Sequence, residues 1–289
     1  MSKMLKPFSL LSRKKPATRP FKDYYLDWFN TLKNHLIPLL DRSLSSSAPA
    51  PLLSSYVHLL LHHILSFYDA LDAAATPDSI PHLLFPSWRT PIETPFLVLG
   101  DLHPYLFTNL LRSFLDDQSD DEVTQSDVEN EERSQLYDVG DLDFDLERPW
   151  QVAMAWKDVS KNLMTQIEQI ECGVRLMVPA LLDRARKAQT GFVRRVAEAW
   201  VDNEGKKERV VGVGEAVKME MEEMVVVFAD ANRLRKSVIT EIVGALDVFQ
   251  GALFLEGLAQ FLVGFRDPDL LSEFEKCKTP INKQARLAL

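Results

Sequence analysis

The sequence predicts an all-α fold: a helical bundle of shorter N-terminal helices packed on two long antiparallel C-terminal helices. Three observations carry this reading. Apolar residues recur at three- and four-residue steps through most of the 289 residues, the period of helices with one buried face. Only 11 glycines are set against abundant Leu, Ala, Glu and Val, a balance that leans toward helix. No segment alternates apolar and polar residues as a half-buried strand does. A chain of this length buries about three-quarters of its unfolded surface, so one long domain or two lobes can share a large core.

Phe21, Tyr24, Tyr25, Trp28, Leu32, Leu36 and Leu39 give the first amphipathic helix. A Ser/Pro loop follows over 43–51, then a second helix with Leu53, Tyr56, Leu60, Ile64, Phe67 and Leu71 on one face, ending near Thr76-Pro77. Short turns fill 77–95. Pro104 suits the first position of a helix reaching Leu115. Trp150 to about Asp202 reads as one long helix kinked at Pro179. After a polar turn over 201–214, near-heptad apolar spacing from Val217 to Leu253 reads as a second long helix reaching Arg266, where Asp267-Pro268 stops it.

Charge is segregated along the chain. Residues 1–22 hold seven basic side chains and no acid, whereas 116–147 hold 14 acids against Arg133 alone, a net of −13. The whole chain is −9, so the remainder sums to +4. The basic arm, with Lys14, Lys15 and Arg19, leaves three readings open: a solubilising tail, attraction to anionic lipid, or an import signal. The acidic tract is expected to be loosely held. It reads either as a solvated linker or as a docking segment, with Asp120, Asp121, Glu122, Glu129, Glu131, Glu132 and Phe144 as interaction candidates. The expected divisions are a basic arm (1–19), an N-terminal helical half (20–115), the acidic insert (116–147), a long-helix half (148–267) and a tail (268–289). The two cysteines, Cys172 and Cys277, are too few for a disulfide framework or a structural zinc site, and Cys172 is expected to be a buried thiol. No apolar run approaches the roughly 20 residues that span a bilayer, and residues 1–22 lack a signal-peptide core.

Chemical candidates are sparse. His58 and His62 share a helical face but lack an evident third ligand, so a partly buried structural role is favoured over a metal. Gly212-Val213-Gly214 reads as a loop-to-helix turn rather than an anion site. Glu171 and Glu168, near Arg175, read as a solvated helix face. No catalytic residue, cofactor site or metal site is expected, which points to a regulatory or scaffolding protein rather than an enzyme.

The segment from Leu84 to Leu115 is the most informative. Trp88-Arg89-Thr90-Pro91, Glu93 and Phe96-Leu97-Val98-Leu99-Gly100 resemble the hallmark W-x-T-P-x-E-x-x-F-L-W-L-G-G motif. That motif belongs to the plant domain shared by Delay of Germination seed-dormancy proteins and the C-terminal half of TGA-type bZIP factors. Ala229, Asp230 and Leu234-Arg235 resemble the family's A-D-x-L-R element, and Gln250 through Phe261-Leu262 its closing helix. The match covers about 20–266. Val98 stands where the motif has Trp, Asp101 where it has the second Gly, and Asp230 and Leu234 are spaced one residue wider. No basic DNA-contacting helix with a zipper precedes the domain, so direct DNA binding is not expected.

Within the family, HLLFPSWRTPIETPFLVLGDLHPYLFTNLLRSF, the basic arm and the acidic interruption resemble the Inaperturate Pollen proteins. The resemblance implies a non-enzymatic factor that helps mark plasma-membrane domains of developing pollen where apertures form, holding them against wall deposition. It further implies protein partners at the membrane, a peripheral position on its cytoplasmic face, and no cofactor; a homo-oligomer is compatible with it. The alternatives are a nuclear co-regulator of the dormancy and TGA type, and a carrier of a small apolar ligand within the bundle.

Overall fold

The computed structural model describes residues 19–46, 48–116, 149–157, 159–202 and 209–276. Among these residues the fold is helical apart from a single two-residue hairpin, as the periodicity predicts. The acidic tract beyond Asp116, Lys14 and Lys15 lie outside the described residues.

Helix α1 (Phe21–Thr31) runs through a π-helical turn (Leu32–Leu36) into α2 (Ile37–Ser45). Pro38 offers no N–H and crowds the carbonyl four residues back, and the wider turn just before it relieves that conflict. The first helical unit therefore extends six residues past Leu39. Helix α3 (Ala50–Ala74) buries Leu53, Val57, Leu60, Ile64, Phe67, Tyr68 and Leu71. A short α4 (Ile80–Leu84) leads into the motif, the hairpin β1 (Leu97–Val98) and β2 (Asp101–Leu102), and then α5 (Tyr105–Asp116).

The C-terminal half departs from two uninterrupted helices. Pro149–Trp156 forms a separate α6, after which Ser160 Oγ accepts the Leu163 N–H at 3.1 Å and α7 (Lys161–Asp202) begins. Helix α7 continues as one element through Pro179, whose ring sits on an exposed face. Helix α8 (Arg209–Ala245) includes Gly212 and Gly214, so the expected turn there is helix. A break at Leu246-Asp247 separates α8 from α9 (Val248–Gly264). Asp247 Oδ1 accepts the Phe249 and Gln250 N–H groups at 2.8 Å each, and Gln250 Oε1 accepts the Asp247 N–H at 3.2 Å. This reciprocal cap starts a new helix where apolar spacing alone suggested continuation. Helix α10 (Pro268–Lys276) follows.

Helices α7 and α8 pair along their length and run antiparallel. Arg184 meets Asp230, and eleven residues further along α7 Arg195 lies near Glu220, ten residues back along α8. Helix α9 is the core of the molecule, buried from Gln250 to Ala259 on all sides between α2, α3, α5, α6 and α8. A helix apolar all round needs such enclosure.

Candidate functional site

The motif after α4 folds around a buried group of charges. Thr90-Pro91-Ile92-Glu93 closes on itself: Thr90 Oγ1 accepts the Glu93 N–H at 3.3 Å and Glu93 Oε2 accepts the Thr90 N–H at 2.5 Å. This is a capping-box exchange with proline at its first position. Glu93 Oε1 also accepts from Arg89 Nη1 at 2.9 Å, while Arg89 Nη2 donates to Asp101 Oδ2 at 2.5 Å. All three side chains are at most 2% exposed. Asp101 Oδ1 takes the Leu102 N–H at 2.7 Å. The Arg89 guanidinium lies over the Tyr25 and Phe67 rings at 5.3 and 5.5 Å. Burial by itself would lower the Arg89 pKa; Asp101, Tyr25 and Glu93 together hold it above its ordinary value.

A second buried guanidinium reads the hairpin's backbone. Arg235 on α8 donates from Nε to the Leu102 carbonyl at 2.8 Å and from Nη2 to the Val98 carbonyl and, at 3.0 Å, to the Asp101 carbonyl. Its Nη1 donates to Asn232 Oδ1 at 2.8 Å, and Asn232 Nδ2 donates to Asp72 Oδ1 at 2.8 Å. Lys236 then bridges Asp69 and Asp72 at 2.8 Å each. Burial lowers the Arg235 pKa, against the nearby Asp101 carboxylate. The tight turn is possible because Leu99 and Gly100 adopt φ of 48° and 88°. A Cβ at Gly100 would stand 2.5 Å from the Leu83 carbonyl and 2.7 Å from the Phe228 ring.

The C-terminal end of α9 closes the group. Thr90 Oγ1 donates to the Phe265 carbonyl at 3.1 Å, Arg266 Nη2 donates to the Trp88 carbonyl, and Arg266 lies over the Tyr25 ring at 4.7 Å. Trp88 packs against Phe21 at 4.8 Å with the rings tilted, and Phe96 meets Phe265 at 5.2 Å. Thus Trp88, Thr90, Pro91, Glu93, Phe96, Leu97, Gly100 and Arg235 are brought to one assembly. Gln250 lies apart, donating to the Ala155 carbonyl at 2.9 Å. Ala229 and Asp230 also lie apart from it, on α8; Asp230 binds Arg184 and Arg233, each at 2.5 Å.

Other expectations are corrected. His58 and His62 are exposed, because α3 buries the opposite stripe; the half-buried histidine of α3 is His63. Its ring stacks on Trp28 at 5.2 Å, with Nε2 3.0 Å from the Trp28 carbonyl, while Trp28 Nε1 donates to the His63 carbonyl at 2.8 Å. Glu168 is exposed as expected, but Glu171 is half-buried and, besides the charge of Arg175 nearby, accepts from Arg112 on α5 at 2.6 and 2.9 Å. Cys172 is exposed, on the face of α7 opposite the buried line through Ile170 and Val174. Arg19 is exposed and paired with Asp27.

Sequence reasoning missed Arg89, Asp101, Tyr25, Asn232, Asp72 and Arg266 as members of one network. The available signal was the i,i+4 pair Arg89 and Glu93 inside a strongly apolar stretch. Both carboxylates are occupied by guanidinium and backbone donors, and the cavity beside them, lined by Trp28, Phe67, Arg89 and Asp101, holds about 10 Å³. That is room for one water. The arrangement joins helices; it does not present reactive groups.

Residues 36–113, which contain Arg89, Glu93 and Asp101 but not Arg235 or Arg266, match the family described as seed dormancy control. The chain is 54% identical over 284 residues to the Arabidopsis thaliana protein INAPERTURATE POLLEN1, covering 95% of this chain and 99% of that one. It is 32% identical over 268 residues to the Oryza sativa subsp. japonica INAPERTURATE POLLEN 1 homolog, covering 91% of each.

Proposed function

The chain belongs to the Inaperturate Pollen family, and from that premise we propose that it is a non-enzymatic scaffold in pollen aperture formation. In this reading it marks plasma-membrane domains from the cytoplasmic face and, through protein partners, keeps exine from being deposited there. The observation that carries the proposal is the 54% identity spanning 99% of the Arabidopsis relative. The use of the charges in the motif's network supports it, since Arg89, Glu93, Asp101, Arg235 and Arg266 together join α1, α3, α8, the end of α9 and the hairpin. No single described helix is long and apolar enough to cross a membrane, which is consistent with a peripheral position reached through partners or through the basic arm.

Disrupting the gene in its native plant and imaging a fluorescently tagged copy tests this. Pollen without apertures, together with peripheral membrane domains of the tagged protein, is the expected result. Normally apertured pollen overturns the proposal, and nuclear enrichment favours the co-regulator reading instead.

A further inference from the structure

We infer that two copies of this chain associate through the flank of the α7–α8 pair that faces away from the rest of the fold, α7 of each copy lying on α8 of the other. The flank is located by the Arg184–Asp230 ion pair, which bridges α7 and α8 at 2.5 Å. Phe228, Asn232 and Arg235 point from the other side of α8 toward the hairpin and α3. Steps of three, four and seven residues from Arg184 put Lys187, Ala180, Met177 and Gly191 on this flank; the same steps from Asp230 put Val226, Glu223 and, one turn on, Met219 there. Met177, Met219 and Val226 are 48%, 46% and 51% exposed, so the flank is apolar in part and covered by no described residue of this chain.

Charge selects the occupant. Between 183 and 198, α7 carries Arg184, Arg186, Lys187 and Arg194 against Asp183 and Glu198, a net of +2, leaving aside Arg195, which faces the buried Glu220 of its own chain. Between 215 and 230, α8 carries Glu215, Glu222, Glu223 and Asp230 against Lys218, a net of −3, leaving aside Glu220, which is buried and turned to Arg195 of its own chain. A second copy turned about a two-fold axis along the helices sets the basic helix on the acidic one twice over. All four neighbours then alternate in direction, as in an up-down bundle. The body of each copy lies on the outer side and does not obstruct the other. Lys187–Asp183, Arg194–Glu198 and Lys218–Glu222 are exposed pairs within single helices, which contribute little and exchange readily. From Met177 to Glu198 the flank is about 33 Å long and two helices, about 20 Å, wide. That footprint is on the order of the ~800 Å² per partner of a standard interface.

Light scattering on the size-fractionated full chain tests this. At concentrations on the order of 10 μM, the wild type is expected at twice its 32.9 kDa mass. Met219→Lys with Val226→Lys, which sets positive charge against the basic α7 of the other copy, is expected to yield monomers with an unchanged helical circular dichroism spectrum. Two charge-reversed chains sharpen the test: Lys187→Glu with Arg194→Glu, and Glu222→Lys with Glu223→Lys. Each alone is expected to weaken self-association about tenfold or more, while a one-to-one mixture of the two recovers the dimer. A monomeric wild type overturns the inference. So does a dimer indifferent to Met219→Lys with Val226→Lys, or a mixture that fails to recover.

Discussion

Asp101 accepts the Arg89 guanidinium with one oxygen and the Leu102 N–H with the other, and it stands where the resembling motif carries glycine. Truncation to Ala leaves Glu93 as the only carboxylate bonded to Arg89 and takes the ion-pair acceptor from its Nη2 in a buried setting. Asp101→Ala is expected to cost about 3–5 kcal/mol, read from urea unfolding. An unchanged midpoint would show that Glu93 suffices. His63 is a second residue with a directional consequence. Burial lowers its pKa below the ordinary 6.5, against the bond to the Trp28 carbonyl and helped by His62. The folded state therefore binds its proton less readily than the unfolded chain does. Its contribution to stability is complete above about pH 6.5 and is lost as pH falls through the lowered folded value. The melting temperature should drop from neutrality toward about pH 5, and His63→Gln should flatten that slope. An equal slope in the variant would assign the titration elsewhere, His103 being the next group lowered by burial.

At the scale of elements, the decisive feature is the interruption between α8 and α9. Apolar residues keep helical spacing straight across it, yet Asp247 and Gln250 supply both halves of a cap, and the chain turns so that α9 enters the core. Asp247→Ala removes the acceptor for two N–H groups and is expected to cost about 1 kcal/mol, seen as a lower unfolding midpoint with an unchanged m-value. A more stable variant would mean that a continuous α8–α9 helix is tolerated. The hairpin is the complementary case. Four residues of strand stand without a sheet because Arg235 supplies donors to three of the carbonyls at their edge.

At the scale of the molecule, the two helical halves are one body. Phe114 on α5 stacks on Trp156 on α6 at 5.3 Å, so the helices flanking the acidic tract already pack together. Replacing 118–147 with a Gly/Ser linker of about 8 residues, which spans up to ~25 Å, should leave the melting temperature within about 4 °C. A large drop would assign the tract a folding role. With folding intact, pull-down from native tissue with and without the tract tests whether it recruits partners.

The amino-acid sequence determined the helical class, the buried stripes of α1, α3, α7 and α8, and the family, because spacing and motif are local or directly legible patterns. Trp88, Thr90, Glu93 and Gly100 were visible as a motif for that reason. What joins them was decided only in three dimensions. Arg235 lies 134 residues from Asp101 along the chain, and no periodicity reports which carbonyls a distant guanidinium will meet. The same holds for the break at Asp247 and the placement of His63 rather than His58 or His62 against Trp28. Each depends on which face the neighbouring helix presents, a property of packing that a one-dimensional pattern does not carry.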